Sequence, residues 1–323
     1  MDEFDLIDRI VSKLGPATRG KAIVLGPGDD CAQVLVPSGY DMVSSIDTFV
    51  AGRHFPAHAA GDLVGYRAMV VNLSDLAAMG AQPSHALLAM TLPDIDVVWV
   101  DAFCEGVRKA CIQFQCPLVG GNITRGPLNI SVSVHGLVEK SASLKRSGAV
   151  AGDLVCLTGN IGGAGLALNH PRFNEAWSLQ SLENLAATDD CLSIRRYYMP
   201  QPRLAFGQAL AGLASAAIDI SDGLVADAAH LAKASGVGLA IQLEDIPCFS
   251  GLEPERAVVA GDDYELCFTL PEHHFKKVQS LASSENLPLR LIGCVDSGTG
   301  VQVIHHGKAV DIAVKGYQHF GSV

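Results

Sequence analysis

Val70-Val71-Asn72-Leu73-Ser74-Asp75-Leu76-Ala77-Ala78-Met79-Gly80 is the end of an apolar run that begins at Asp62. Its spacing predicts a helix over 62–79, closed by Gly80, with Pro83 just beyond. Asp75 is out of place in it. Its neighbours Val70, Val71, Leu73, Leu76, Ala77 and Ala78 are apolar on most sides of the helix. A carboxylate there needs a partner or a metal ion, because burying an unpaired charge is costly.

Reading outward, Phe4, Leu6, Ile7, Ile10, Val11 and Leu14 have helical spacing, and Gly26-Pro27-Gly28-Asp29-Asp30 is a loop. Strands are predicted over 31–36, 42–46, 84–92, 118–119 and 128–138, and a helix over 97–114. The chain turns polar and small between Glu139 and Gly152, which places the domain boundary there: 1–140 and 150–323. The second half restarts with a strand over 153–158 and a Gly-rich turn. Strands follow over 216–220, 266–270, 289–295 and 301–304, and helices over 224–235 and 271–283. Strands and helices alternate in both halves, so each is α/β or α+β.

At 323 residues the chain exceeds one ordinary core, so two domains are expected. Hydrophobic residues make up 49% and charged residues 18%, enough apolar surface to exclude disorder. The formal net charge of -11 and the lack of a Lys/Arg block argue against nucleic acid and membrane surfaces as partners. The most apolar long stretch, 204–218, is interrupted by Gln208 and Ser215 and is too short to span a bilayer. Nine scattered cysteines without a C-x-x-C pair, and an acidic start without a signal-peptide pattern, point to reduced thiols in a cytoplasmic protein.

No P-loop, G-x-G-x-x-G, H-E-x-x-H or G-x-S-x-G motif is present. Instead, aspartates stand in small-residue contexts at the ends of predicted elements. Asp29 and Asp30 follow Gly28, Asp47 ends Ser44-Ser45-Ile46-Asp47, Asp219 and Asp222 flank Ser221, and Asp262 and Asp263 follow Gly261. Each alone reads equally as a turn or a helix cap. Together they read differently. Two carboxylates about 4 Å apart repel by about 4 kcal/mol at an effective dielectric near 20. A converging set therefore calls for cations, and all-oxygen ligands suit Mg²⁺, which would let an acidic protein hold ATP.

These motifs resemble the thiamine-monophosphate kinase family of the aminoimidazole-ribonucleotide-synthetase superfamily. The resemblance is carried by Gly26-x-Gly28-Asp29-Asp30-Cys31-Ala32, Asp47-Thr48-x-Val50-x-Gly52-x-His54-Phe55 and Asn72 to Gly80. Further matches are Gly120-Gly121-x-x-x-Arg125-Gly126-Pro127, Arg146-Ser147-Gly148-Ala149, Ile218 to Leu224, Asp263 to Phe268 and Lys315-Gly316-Tyr317. It implies an N-terminal mixed-sheet domain that pairs across a homodimer and a C-terminal α/β domain. It also implies direct in-line transfer of the ATP γ-phosphoryl group to thiamine monophosphate, giving thiamine diphosphate. By position, the implied magnesium ligands are Asp30, Ser45, Asp47, Asp75, Asp219 and Asp222. Gly121, Asn122, Arg146 and Ser221 would contact ATP, and His54, Asp262 and Tyr317 the thiamine substrate.

The chain departs from the family pattern at several points. Ile46 stands where Thr is usual, which is expected to remove an oxygen near one metal. Asn122 replaces Asp in Gly-Gly-Asp and removes a negative charge. Asp262 replaces Glu before Asp263-Tyr264, and Val314 replaces an aromatic. Two readings follow: an active kinase, or a non-catalytic relative that binds nucleotide or thiamine phosphates through a weakened metal cluster. Other superfamily activities fit less well, because no Cys precedes Cys31 and the chain ends without a Cys-bearing tail.

Overall fold

The computed structural model describes residues 2–312. Contacts divide these into two units. Residues 2–76, 81–140 and 171–189 form the first, and residues 77–80, 141–170 and 190–312 the second. The segment Pro171–Asp189, which the sequence reading left in the second half, thus belongs to the first unit. Its helix is fastened there by Asp62, whose Oδ2 accepts the Leu179 N–H at 2.8 Å, and by the Lys109–Glu183 ion pair.

The first unit opens with α1 (Glu3–Leu14), capped by reciprocal Asp2–Asp5 hydrogen bonds that satisfy two end groups of the helix. A short ribbon follows, β1 (Ile23–Leu25) with β2 (Gln33–Val34). Next come β3 (Tyr40–Val50), α2 (Gly61–Ala78), β4 (Gln82–Leu92), α3 (Val97–Gln113), β5 (Leu118–Arg125) and β6 (Asn129–Glu139). The sheet order is β3-β6-β4-β5, antiparallel except for the parallel β4–β5 pair. Along β6 the even residues Ile130 to Val138 are buried and the odd ones half-buried. One face therefore carries the core, as alternation dictates. Leu76 of α2 lies against that face at Gly136.

Helices α2 and α3 cross closely because glycine lines their contact. A Cβ on Gly61 would lie 2.2 Å from the Trp99 carbonyl oxygen, on Gly65 2.3 Å from that of Phe103, and on Gly106 2.0 Å from that of Asp62. Tyr66 and Phe103 fill the surrounding space and are fully buried.

The second unit begins with β7 (Leu154–Thr158) and α4 (Gly163–Leu168); after α5 (Leu179–Glu183), which belongs to the first unit, it continues with α6 (Leu192–Tyr198), α7 (Leu204–Ala209), β8 (Ala216–Asp219), α8 (Leu224–Ser235) and β9 (Gly238–Gln242). After them come α9 (Pro254–Ala257), β10 (Leu266–Leu270), α10 (Phe275–Ser284), β11 (Leu289–Asp296), β12 (Gly300–His305) and β13 (Lys308–Val310). The seven-stranded sheet runs β13-β12-β9-β11-β7-β10-β8, antiparallel except for β9–β12. Its core joins Val155, Leu157, Ile218 and Ile241 from the strands with Leu224, Val225, Ala228 and Leu231 of α8.

The mixed α/β class and the two-domain reading are met. Two strands run longer than expected. The polar run Ser44 to Thr48 looked like a strand end, yet Asp47 lies inside β3, which continues to Val50. Its position at the sheet edge leaves room for polar side chains. Gly120-Gly121 looked like a break, yet both sit in β5, where Gly121 faces Leu88 so closely that a Cβ would come within 1.9 Å of its carbonyl oxygen. No described helix is long and apolar enough to cross a membrane.

Candidate functional site

In the first unit Ser45, Asp47 and Asp75 lie where β3 meets α2. Ser45 and Asp47 are two apart on β3 and so project to the same face. Ser45 Oγ donates to Asp75 Oδ2 at 2.5 Å. One partner of the half-buried Asp75 is therefore a hydroxyl on the edge strand. One helical turn earlier, the fully buried Asn72 accepts the Asp47 N–H on Oδ1 at 2.9 Å and donates from Nδ2 to the Ala68 carbonyl at 2.8 Å. This bond gives the Asp47 N–H on the edge strand a side-chain acceptor from the helix. The Asn-x-x-Asp spacing on α2 thus locks β3 at Asp47 and binds it again at Ser45.

Asp30 lies in the exposed loop before β2, and its N–H donates to Asp29 Oδ1 at 2.8 Å. Asp30, Asp47 and Asp75 do not all lie within 4.8 Å of one another. The donor set is carboxylate and hydroxyl oxygen throughout, which fits Mg²⁺ and disfavours softer metals.

His54 closes the turn after β3. Its Nδ1 accepts the Val50 N–H at 3.0 Å, so the neutral ring carries its proton on Nε2, and it meets Phe49 edge-on at 5.9 Å. Gly121 and Asn122 are exposed on β5, at the opposite edge of the sheet. Register places Asp47, Val132, Leu88 and Gly121 in one row across it. At about 4.8 Å per strand, Gly121 is about 14 Å from Asp47. The Asn122 charge change therefore lies away from the Asp47–Asp75 group within one chain. Ile46 is 64% exposed and projects to the face opposite Ser45 and Asp47. The expected loss of a side-chain oxygen beside the aspartates is corrected: alternation points this side chain away from them.

In the second unit, Asp219 ends the edge strand β8 and is buried, and Ser221-Asp222-Gly223 turns into α8. The turn is held by a residue that the sequence reading passed over. Asp227 Oδ2 accepts the N–H groups of Ser221, Asp222 and Gly223 at 3.0, 3.0 and 3.2 Å. Burial pushes the Asp227 carboxyl up to about 7, against the three N–H bonds that favour its charge. Gly223 has φ +113°, which favours glycine, and a Cβ there would come within 3.0 Å of the Val259 carbonyl. Arg146 is exposed in the segment beside β8, where the Lys145 carbonyl accepts the Ala217 N–H and the Arg146 carbonyl accepts Ser235 Oγ.

The loop Gly261–Glu265 adjoins this turn, since the Asp262 N–H donates to the Ser221 carbonyl and the Tyr264 N–H to that of Ile220. Asp262 and Tyr264 have left-handed backbones (φ +66° and +53°), and the Tyr264 hydroxyl donates to Asp262 Oδ1 at 2.8 Å. Two buried acids hold the strained segment. Asp263 accepts the Gly162 and Gly163 N–H groups at 2.6 and 3.1 Å, and burial raises it to about 7. Glu265 is fully buried. Burial opposes its charge, but Arg203 and Arg196 at 2.5 and 2.8 Å overcome that and hold it below the usual carboxylate range. Tyr317 lies outside the described residues.

Each α/β unit thus carries its own group of acidic side chains, on β3 and α2 in the first and from the end of β8 into the start of α8 in the second. Residues 28–138 match the family model "AIR synthase related protein, N-terminal domain", and residues 150–306 match the C-terminal domain of the same family. The chain is 39% identical to thiamine-monophosphate kinase of Escherichia coli K12, covering 99% of this chain and 98% of that one. The crystal structure of thiamine-monophosphate kinase from Stenotrophomonas maltophilia K279a is similar with a TM-score of 0.83 and 35% identity, over 96% of this chain and 98% of that one. A second similar structure is AaThiL complexed with AMPPCP and TMP, with a TM-score of 0.73 and 32% identity, over 98% and 97%. The chain belongs to the thiamine-monophosphate kinase family.

Proposed function

We propose that this protein transfers the γ-phosphoryl group of ATP to the phosphate of thiamine monophosphate, giving thiamine diphosphate and ADP. A phosphate oxygen of the substrate forms the new P–O bond while the bond to the ADP oxygen breaks in line, with no phosphorylated enzyme between. The observation that carries the proposal is the Asn72–Asp47 and Ser45–Asp75 pairing, a built all-oxygen group in a chain related over its full length to kinases of this name.

In the first unit Asp30, Ser45, Asp47 and Asp75 would hold magnesium, and in the second Asp219 and Asp222 would. Bound magnesium supplies charge neutralisation for the triphosphate and for the transferring group. Gly121, Asn122, Arg146 and Ser221 are assigned to ATP, with the forked Arg146 guanidinium matched to a phosphate. His54, Asp262 and Tyr317 are assigned to the thiamine substrate, and the Nε2–H of His54 is a donor suited to an acceptor on it. The chain's own task is positioning, which the buried supports Asn72, Asp227 and Asp263 perform.

The protein is taken to act as a homodimer in the cytoplasm. The sheet face opposite α2 supports the dimer, for it exposes Met42, Ile46 and Leu87. All nine cysteines are free thiols, which suits a reducing compartment. Incubation with ATP, MgCl₂ and thiamine monophosphate should yield thiamine diphosphate by chromatography. Binding of both ligands without product would instead make the protein a non-catalytic relative.

A further inference from the structure

At the edge of the second unit's sheet, β12 and β13 are joined by His306 and Gly307, with His305 paired to Lys308. Both linking residues have positive φ, +48° and +76°. This is the geometry of a two-residue primed turn, whose first position ordinarily favours Asn, Asp or Gly. Adjacent strand residues point to opposite faces, but the left-handed backbone at His306 brings its ring onto that of His305, stacked at 4.2 Å.

Two acids face the ring pair. The His306 N–H lies 3.3 and 3.4 Å from the two carboxylate oxygens of Glu244, in the short helical turn Leu243–Asp245, and His306 Nδ1 lies 3.9 Å from Glu244 Oε1. His305 Nδ1 lies 3.8 Å from Glu255 Oε1, on α9. One ligand atom each from Glu244, His305 and His306 fall within 4.8 Å of one another. Around a tetrahedral ion with bonds of about 2.0–2.2 Å, neighbouring ligand atoms stand about 3.4 Å apart. The three are thus within about 1.5 Å of that spacing, which side-chain torsions at an exposed turn can close.

We propose that Glu244, His305 and His306 bind a divalent transition-metal ion of the zinc class, with Glu255 in reach as a fourth ligand. Two imidazoles and two carboxylates are a nitrogen–oxygen set suited to zinc rather than to Mg²⁺. The ion fastens the β12–β13 hairpin to the Leu243–Asp245 turn and to α9. It is separate from the aspartates assigned to magnesium, none of which contributes to it.

Calorimetric titration of the full chain with ZnCl₂ in excess MgCl₂ tests the site. Wild type should bind one more equivalent of zinc than the double variant His305→Ala/His306→Ala, and Glu244→Gln should bind that equivalent at least tenfold more weakly. Equal stoichiometry and affinity in wild type and double variant would overturn the proposal. An NMR titration of the unmutated protein guards against a misfolded variant. One equivalent of zinc should shift the imidazole signals of His305 and His306, and shifts confined to other histidines would sink the site.

Discussion

Asp227 sits one turn into α8, in Leu224-Val225-Ala226-Asp227-Ala228, and one of its oxygens serves three backbone donors of the Ser221–Gly223 turn. Removing it leaves those donors without their acceptor, and each unsatisfied buried group costs about 1–3 kcal/mol. Asp227→Ala should therefore lower stability by about 2–4 kcal/mol and reduce kcat at least tenfold. Asp227→Asn, which keeps an acceptor oxygen, should recover most of both. Urea unfolding alongside steady-state kinetics measures this, and equal kcat in wild type and Asp227→Ala would remove Asp227 from the positioning role. The sequence carries a signal for it, since Asp227 interrupts an apolar helix as Asp75 does. Asn122 presents the opposite case, legible as a departure but not in place. It is exposed on β5, so Asn122→Asp should change stability by less than about 0.5 kcal/mol. It should also lower the magnesium concentration for half-maximal rate; an unaltered magnesium dependence would argue against Asn122 lying near a metal.

Helix interiors ordinarily favour Ala over Gly by about 1 kcal/mol, so Gly→Ala in α2 or α3 would stabilise an isolated helix. The contact between these helices reverses the sign. The Cβ of Gly106→Ala would lie 2.0 Å from the Asp62 carbonyl oxygen and 2.7 Å from the Tyr66 nitrogen, both backbone atoms that cannot swing aside. The helices must separate, at a cost of about 3 kcal/mol for overpacking. Chemical denaturation should show Gly106→Ala destabilised by that amount, whereas Gly26→Ala, whose Cβ would meet nothing nearer than the Thr18 carbonyl oxygen at 3.5 Å, should lack the clash. A neutral Gly106→Ala would contradict the close crossing. Periodicity made α1, α3 and α8 legible to within about a residue, because each buries one apolar stripe against its sheet or neighbour, while α2, buried on nearly all sides, is legible from the length of its apolar run and the Gly80 that closes it. The five-residue α5, four-residue α9 and three-residue β1 and β13 are too short to show a period and are set by tertiary partners. The role of the glycines at the α2–α3 crossing is not legible in the sequence, since the helix that needs them lies some forty residues away.

The two units should respond to pH in opposite directions. In the second, burial raises Asp227 and Asp263 from 3.8 to about 7. The folded state then holds protons that the unfolded chain has released, so stability is greatest below about pH 4 for these groups and is lost as pH rises through 7. Glu265 works the other way: held below 4.5, it contributes stability above that value and loses it on acidification. In the first unit His85 is buried against His135, stacked at 4.3 Å, and burial lowers it from 6.5 to about 4. The unfolded chain takes up a proton that the folded one refuses, so the first unit loses stability as pH falls from 6.5 toward 4. Each group contributes a slope of up to about 1.4 kcal/mol per pH unit within its window. Unfolding followed by hydrogen exchange at pH 5, 6, 7 and 8 should therefore show the second unit weakening toward pH 8 and the first weakening toward pH 5. Asp227→Asn should flatten only the second slope and His85→Asn only the first. Parallel pH dependence in the two units, or slopes untouched by both variants, would mean that these buried groups do not set the balance.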